Sequence, residues 1–128
     1  VVFSDPQERK ALEAITHPAI RTVMKERMAL HESESPDKLV VVDVPLLYES
    51  GLEGYFERVM VVYVPRREQL RRLMARDGLS EEDAGKRLAA QMDIEEKRRR
   101  ADIVVDNGGS LDATAARIDR FWREAGLG

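Results

Sequence analysis

Arginine side chains recur at helical spacing in the second half of the chain, and their chemistry suits the binding of phosphate groups. Arg72 and Arg76 are four residues apart, so a helix would place them on one face. The planar guanidinium group forms paired hydrogen bonds with phosphate oxygens. Two basic helices joined by a short hinge at Gly78 could close over a nucleotide, with Lys86 and Arg87 on the second helix. For any single arginine, a solvated helix face is the favoured explanation.

One acidic residue, Asp43, follows the apolar run 39–42 and offers a ligand for a metal ion. If that run is a strand of a parallel sheet, its carboxyl end lies where open α/β sheets bind ligands. In proteins that transfer phosphoryl groups, an aspartate in this place often holds Mg²⁺, directly or through water. The pattern is also typical of a plain turn or capping residue, and both interpretations stay open.

Two loops combine residues that could contact a ligand. The segment from Pro45 to Gly51 contains two leucines, an aromatic ring and a glutamate, which is an unusual composition for a surface loop. Composition alone favours the simpler interpretation that Leu46 and Leu47 fill the core. The segment 106–109 could hydrogen-bond an adenine edge, but its asparagine and glycines also suit an ordinary tight turn.

Composition excludes several classes of function. The chain has 21 Lys and Arg residues against 24 Asp and Glu residues, so the basic surface of a nucleic-acid-binding protein is absent. The absence of cysteine excludes disulfides, thiolate metal sites and a cysteine nucleophile, and it agrees with a cytoplasmic location. No run approaches the ~18 apolar residues of a membrane-spanning helix. No histidine lies at metal-ligand spacing with a second ligand.

The elements that must position these residues alternate between helices and strands, which predicts an α/β fold with a parallel sheet. Three apolar runs rich in β-branched residues predict strands over 39–44, 58–64 and 102–105. Because these runs do not alternate with polar residues, we expect the strands to be buried on both faces. Helices are predicted over 66–77, 80–91, 93–100 and 110–126.

The first part of the chain is predicted to hold two helices separated by His17 and Pro18. Ser4 is expected to cap the first of them. Proline restricts the residue before it, so the first helix should end near residue 16 and the second should cover about 19–31. His17 itself is typical of a turn or capping position.

Taken together, five segments resemble the dephospho-CoA kinase family in their order and spacing. They are 4–21 with the string LEAITHP, 43–52 with DVPLLYESGL, 72–80 with RLMARDGLS, 89–92 with AAQM and 101–107 with ADIVVDN. The family phosphorylates the 3′-hydroxyl of dephospho-CoA with ATP, which is the last step of coenzyme A synthesis. The resemblance implies a P-loop NTPase fold of the nucleoside-monophosphate-kinase type, with a three-layer parallel sheet, a helical lid and substrate-binding helices.

The resemblance also implies roles for individual residues. Four residues would bind ATP, the arginines at its phosphates and the loop residues near adenine: Arg76, Arg87, Asn107 and Gly108. Six would line the dephospho-CoA site: His17, Arg21, Pro45, Leu46, Leu47 and Glu49. Asp43 would help to organise Mg²⁺, and the run 97–100 would serve lid packing or solvent contact.

The sequence departs from the family in one respect. It contains no G-x-x-x-x-G-K-[ST] phosphate loop and no counterpart of the aspartate taken as the family's catalytic base. Both are expected upstream of Val1, so the resemblance predicts no catalytic residue within these 128 residues and no activity for them alone. The family's first strand lies between the strands predicted at 39–44 and 58–64. A missing N-terminal segment or a second copy of the chain is therefore expected to complete the sheet.

These observations predict one truncated kinase domain over 1–128. Its regions would be a helical region for the CoA substrate (1–37), core strands (38–65), lid-type helices (66–100) and a core strand with the C-terminal helix (101–128). Two other functions stay open. One is a related nucleoside-monophosphate-type kinase with a different acceptor, and the other is a non-catalytic remnant that binds nucleotide or self-associates.

Overall fold

The computed structural model describes residues 5–126, which divide into two compact units. The first unit extends to Asp43 and contains the helix α1 (Pro6–Glu34). The second unit begins at Val44. Its elements are a 3-10 turn (Glu53–Tyr55), β1 (Met60–Tyr63), α2 (Arg66–Asp77), α3 (Glu81–Ala89), α4 (Ile94–Arg100), β2 (Ile103–Asp106) and α5 (Leu111–Glu124).

The helix α1 is continuous, so the predicted break at His17 and Pro18 is wrong. Proline inside a helix removes one backbone hydrogen bond and costs about 3 kcal/mol. The helix continues because good helix formers lie on both sides of Pro18, and its many other backbone hydrogen bonds outweigh that local cost. Asp5 caps the helix, since its carboxylate accepts hydrogen bonds from the backbone N–H groups of Gln7 and Glu8 at 2.9 and 3.3 Å. The predicted cap at Ser4 lies outside the described residues.

The two strands β1 and β2 pair in parallel, which confirms the predicted type of sheet. Their register sets Met60 beside Ile103 and Tyr63 beside Asp106. Both strands are four residues long, and β1 is shorter than the apolar run that predicted it. The carboxylate of Asp102 accepts a hydrogen bond from the backbone of Val59 at 2.7 Å, just before the strands begin. The pairing is therefore fixed at its start by a side chain.

The strand predicted over 39–44 is wrong. These residues are in neither helix nor strand, and among the described residues only β1 and β2 pair. A strand exists only when a neighbour satisfies its backbone groups, so an apolar and β-branched sequence is not sufficient by itself. Leu39, Val40 and Val41 are exposed.

The expectation that the strands are buried on both faces is wrong for β1 and also for β2, in which Val105 is buried and Val104 is exposed. Val61 and Tyr63 are buried in a cluster with Tyr48 and Ile94. Val62, on the opposite face of the strand, is exposed. Side chains alternate between the faces of a strand, and the described residues cover only one face of β1.

The four helices predicted in the second unit are confirmed. Ser80 caps α3 and Ser110 caps α5, each by accepting a hydrogen bond at 3.1 Å from the backbone three residues further on. Asp93 caps α4 by accepting a hydrogen bond at 2.8 Å from the backbone N–H of Glu95, two residues further on. Gly78 ends α2 in the left-handed conformation with a φ of 63°, which glycine adopts without strain. No helix in the described range has the length and apolar content needed to cross a bilayer.

Val61 and Val62 form a matched pair for testing where the core lies, because they are adjacent in β1 but differ in exposure, 8% against 57%. We expect Val61→Ala to lower the free energy of unfolding by about 1–2 kcal/mol more than Val62→Ala, because only Val61 loses buried contacts. Urea denaturation followed by circular dichroism measures both. Equal losses for the two variants would contradict the cluster as the core of this unit.

Candidate functional site

The carboxyl ends of β1 and β2 lie side by side, since the strands are parallel and Tyr63 pairs with Asp106. The chain leaves β1 through Pro65 into α2, and it leaves β2 into the loop 107–110. Open α/β sheets bind ligands at this edge. The structure therefore sets α2, with its arginines, beside the loop that contains Asn107.

The loop after β2 is held from three elements, all through Asn107. Its backbone N–H donates to the carbonyl of Tyr63 at 2.8 Å, and its carbonyl accepts a hydrogen bond from Arg72 Nη2 on α2 at 2.9 Å. Thr114 on α5 donates its hydroxyl to the side-chain oxygen of Asn107 at 2.7 Å. Asn107 thus has a fixed position and a fixed side-chain orientation.

The next residue, Gly108, lies close to the end of the strand. Its backbone N–H donates to Asp106 Oδ1 at 2.7 Å, and a Cβ at this position would meet the same oxygen at 3.0 Å. The close approach favours glycine here. Arg117 on α5 donates to the backbone carbonyl of Asp106 at 2.7 Å, so the loop is also held behind the glycine.

The predicted ATP-binding arginines converge on one carboxylate, Asp77, at the joint between α2 and α3. Arg76 Nε donates to Asp77 Oδ1 at 2.8 Å, and Arg87 Nη1 donates to Asp77 Oδ2 at 2.9 Å. The hydrogen bonds from Arg76, with the nearby charge of Arg87, lower the pKa of Asp77. Both guanidinium groups are largely exposed. The structure therefore brings Arg76 and Arg87 together at an anion, with room for each to contact another one.

The loop that contains Pro45 to Gly51 begins with two exposed residues, Pro45 and Leu46, which are followed by the half-buried Leu47 and the buried Tyr48. Burial is the main cause that raises the pKa of the Tyr48 phenol, followed by the charge of Asp102. Tyr48 thus supplies the part of this loop that packs into the core. The prediction that the leucines fill the core is wrong for Leu46, which points into solvent.

The carboxylate of Glu49 is anchored in the protein. Its Oε2 lies 2.9 Å from Lys97 Nζ on α4 and accepts a hydrogen bond from the backbone N–H of Met92 at 3.0 Å. Burial alone would raise the pKa of Glu49, but the hydrogen bonds from Lys97 and Met92 lower it overall. Sequence reasoning missed Lys97, which it assigned to lid packing or solvent contact. A lone glutamate in an otherwise apolar loop was the one available signal that a cation should lie nearby.

In the first unit, His17 and Arg21 are both half-buried and lie four residues apart on one face of α1. Asp43 is exposed at the end of that unit. Among residues 5–126, no group of three or more histidine, aspartate or glutamate side chains could hold a metal ion. Asp43 offers a single carboxylate, which is enough only where other ligands of Mg²⁺ are water and phosphate.

Two parallel strands joined by three helices, with an ordered loop at the strands' carboxyl ends, form an α/β arrangement. The family that matches this chain is dephospho-CoA kinase, over residues 1–113, and the chain belongs to that family. A dephospho-CoA kinase of Symbiobacterium thermophilum is 50% identical over 98% of this chain and 52% of its own length. One of Geobacter sulfurreducens is 47% identical over 95% of this chain and 61% of its own.

Two solved structures support the fold. A protein of Thermus thermophilus superposes with a TM-score of 0.75 at 42% identity, covering 96% of this chain and 62% of that one. A solved dephospho-CoA kinase of Campylobacter jejuni gives a TM-score of 0.69 at 37% identity, covering 97% and 61%. The chain thus spans about half to three fifths of the length of these relatives.

The anchored carboxylate of Glu49 should stabilise the fold in a pH-dependent way. A lowered pKa means a contribution that is present above the ordinary value of 4.5 and is lost as the pH falls through the lowered pKa. We expect Glu49→Gln to lower the free energy of unfolding by about 1–3 kcal/mol at neutral pH. The difference from the wild type should shrink in acid. Urea denaturation across a pH series measures both effects.

Glu82→Gln is the matched control for this prediction. Glu82 makes a 3.5 Å pair with Lys86 in which both side chains are largely exposed. An exposed pair contributes less than about 1 kcal/mol, so this variant should track the wild type at every pH. Equal destabilisation by the two substitutions would show that the Glu49 contacts contribute no more to the free energy of unfolding than an exposed ion pair does.

Proposed function

We propose that the protein containing this chain is a dephospho-CoA kinase. It transfers the γ-phosphate of ATP to the 3′-hydroxyl of dephospho-CoA, and it releases ADP and coenzyme A. The observation that carries the proposal is membership of the dephospho-CoA kinase family over residues 1–113. An enzyme of this kind works where ATP and the precursors of coenzyme A are found, so we also propose a cytoplasmic location.

Arg76 and Arg87 bind the ATP phosphates in this proposal. The support is that both already bind one carboxylate, Asp77, and guanidinium groups bind phosphate oxygens with the same geometry. Two cations near the transferred phosphoryl group would stabilise the charge that spreads over its oxygens in the transition state. Asp77 keeps these arginines together before nucleotide arrives.

Asn107 and Gly108 bind adenine in the proposal. The oxygen of the Asn107 side chain accepts a hydrogen bond from Thr114, so its amide N–H groups are the part that remains for a ring nitrogen of the base. Within residues 5–126 those N–H groups have no hydrogen-bond partner. The missing side chain at Gly108 lets the ring approach the backbone.

In the proposal, His17 and Arg21 of the first unit contact dephospho-CoA, and so, independently, does the loop of the second unit that begins at Pro45. His17 and Arg21 offer polar groups from one helix face, and Arg21 suits the pyrophosphate that dephospho-CoA carries. Pro45, Leu46 and Leu47 offer apolar surface. ATP would enter with Mg²⁺, which neutralises phosphate charge, and Asp43 would supply one oxygen ligand, directly or through water.

The gene product with all its encoded residues should form ADP in the presence of ATP only when dephospho-CoA is added. We expect Arg76→Ala to lower kcat/KM for ATP by about tenfold to hundredfold, the loss of one charged hydrogen bond to phosphate. Arg71→Ala is the matched control on α2, because the Arg71 guanidinium pairs with Glu68. It should change kcat/KM less than about twofold. ADP formation that needs no dephospho-CoA, or that prefers another nucleotide or nucleoside acceptor, would contradict the proposal.

Residues 1–128 expressed alone should not form ADP. The sequence contains no G-x-x-x-x-G-K-[ST] motif, and that loop supplies the backbone N–H groups and the lysine that hold the transferred phosphate in enzymes of this class. A coupled assay for ADP with ATP and dephospho-CoA measures this. Turnover by residues 1–128 would mean that the chain holds phosphate by other groups.

A further inference from the structure

The Glu49 carboxylate joins parts of the second unit that are far apart in sequence. Glu49 lies in the loop 45–51, called here the acceptor loop. Its two partners are the backbone N–H of Met92, in the joint between α3 and α4, and Lys97 on α4. One oxygen, Oε2, accepts from both of them. A movement of the joint therefore moves the Met92 N–H that donates a hydrogen bond to the acceptor loop.

This contact differs from the other ion pairs of the described residues. Only 19% of the Glu49 side chain and 14% of the Lys97 side chain are exposed. The pair Glu82–Lys86 lies within one helix and is largely in solvent. Removing two charges from water is costly, and the cost is offset only when their geometry is held and further hydrogen bonds are made. The pair is therefore a stiff contact, whereas an exposed pair reforms in many arrangements.

A second contact next to it makes the connection rigid. Tyr48, which precedes Glu49, is buried in one apolar cluster with Ile94 of α4. The acceptor loop is thus bound to α4 by packing and by charge at adjacent positions. A change in the angle of α4 or of the joint at Met92 has to change the loop.

The joint at Met92 also directly follows α3, the helix that carries Arg87. A shift of α3 on nucleotide binding would reach the joint first, because the joint is the next part of the chain. One hydrogen bond, from the Met92 N–H to the Glu49 carboxylate, joins this part of the chain to the acceptor loop. Coupling between two binding sites is carried by contiguous packed and hydrogen-bonded contacts, and this contact is one of that kind.

We propose that Glu49, Lys97 and the Met92 amide form a coupling contact that transmits nucleotide binding at α2 and α3 to the acceptor loop. Lys97 is a positioning residue in this proposal, and Glu49 acts through this contact and does not bind the substrate itself. The assignment of the acceptor loop to dephospho-CoA rests on the proposed function. The coupling itself needs only that nucleotide phosphates bind at the arginines.

Hydrogen–deuterium exchange on the full gene product tests the coupling. In the wild type, a non-hydrolysable ATP analogue should slow exchange of the acceptor-loop amides by about fivefold or more. In Lys97→Met the analogue should still bind, but the loop should no longer respond. Lys97→Arg, which keeps the charge, should restore most of the response. Lys10→Met, which removes an exposed lysine of α1 with no proposed role, should respond as the wild type does.

Kinetics on the same variants separate positioning from stability. We expect Lys97→Met to raise KM for dephospho-CoA by about tenfold with a smaller change in kcat, since the loop is misplaced while the phosphate-binding groups are intact. A Lys97→Met protein that unfolds more easily but keeps the wild-type loop response and KM would overturn the proposal and leave a purely structural pair. A wild-type loop that ignores the bound analogue would also overturn it.

The two proposals fail in distinguishable ways. If the wild type forms no ADP with dephospho-CoA while the loop still responds to the analogue in a Lys97-dependent manner, the proposed function is wrong and the coupling stands. If ADP forms as expected but the loop response is the same in the wild type and in Lys97→Met, the coupling is wrong and the function stands.

Discussion

The parallel pairing of β1 with β2 is the constraint on which the second unit depends. Only four residue pairs make the ladder, from Met60 with Ile103 to Tyr63 with Asp106. A ladder this short has frayed ends unless something fixes them. The Asp102 carboxylate holds the backbone of Val59 at one end, and the Asn107 N–H bonds to Tyr63 at the other. Parallel strands also require a long connection, and here that connection consists of α2, α3 and α4, which hold the basic residues of the site.

Charged side chains join this connection to the sheet and its loops through hydrogen bonds and ion pairs. Arg72 is the clearest case, because it binds Glu68 on its own helix at 2.8 Å and the carbonyl of Asn107 at 2.9 Å. Hydrogen bonds from Arg71 and Arg72 lower the pKa of Glu68 to about 2, so Glu68 keeps its charge down to strongly acidic pH. Tyr63 similarly donates its hydroxyl to Glu95 of α4, and the Arg98 guanidinium lies 4.7 Å from its ring centre. Ionic and aromatic contacts thus supplement a small apolar cluster.

Local sequence signals predicted the helices of the second unit well, because their causes are local. Ser80, Asp93 and Ser110 each satisfy backbone N–H groups within three residues, and Gly78 provides the left-handed turn after α2. The failures occurred where the outcome depends on a distant partner or on a whole helix. The apolar run 39–44 needs a neighbouring strand, and β1 needs a second covering layer to bury Val62. Proline normally ends a helix, but Pro18 lies inside α1 because the other backbone hydrogen bonds of the helix outweigh the free-energy cost of the one that is lost.

The candidate site also has one part that the sequence predicted and another that it did not. The positions of Arg76, Arg87 and Asn107 could be predicted because a resemblance carries residues position by position, although their roles remain predictions. The contacts within the site could not, because each one joins residues that are ten or more positions apart: Arg72 bonds to Asn107, Lys97 to Glu49, and Arg87 to Asp77. No local sequence pattern distinguishes an arginine that holds a loop in place from one that is proposed to bind a phosphate. The structural difference is the partner. Arg72 binds the backbone carbonyl of Asn107, whereas Arg76 and Arg87 bind the carboxylate of Asp77, whose place an anionic phosphate takes in the proposed function.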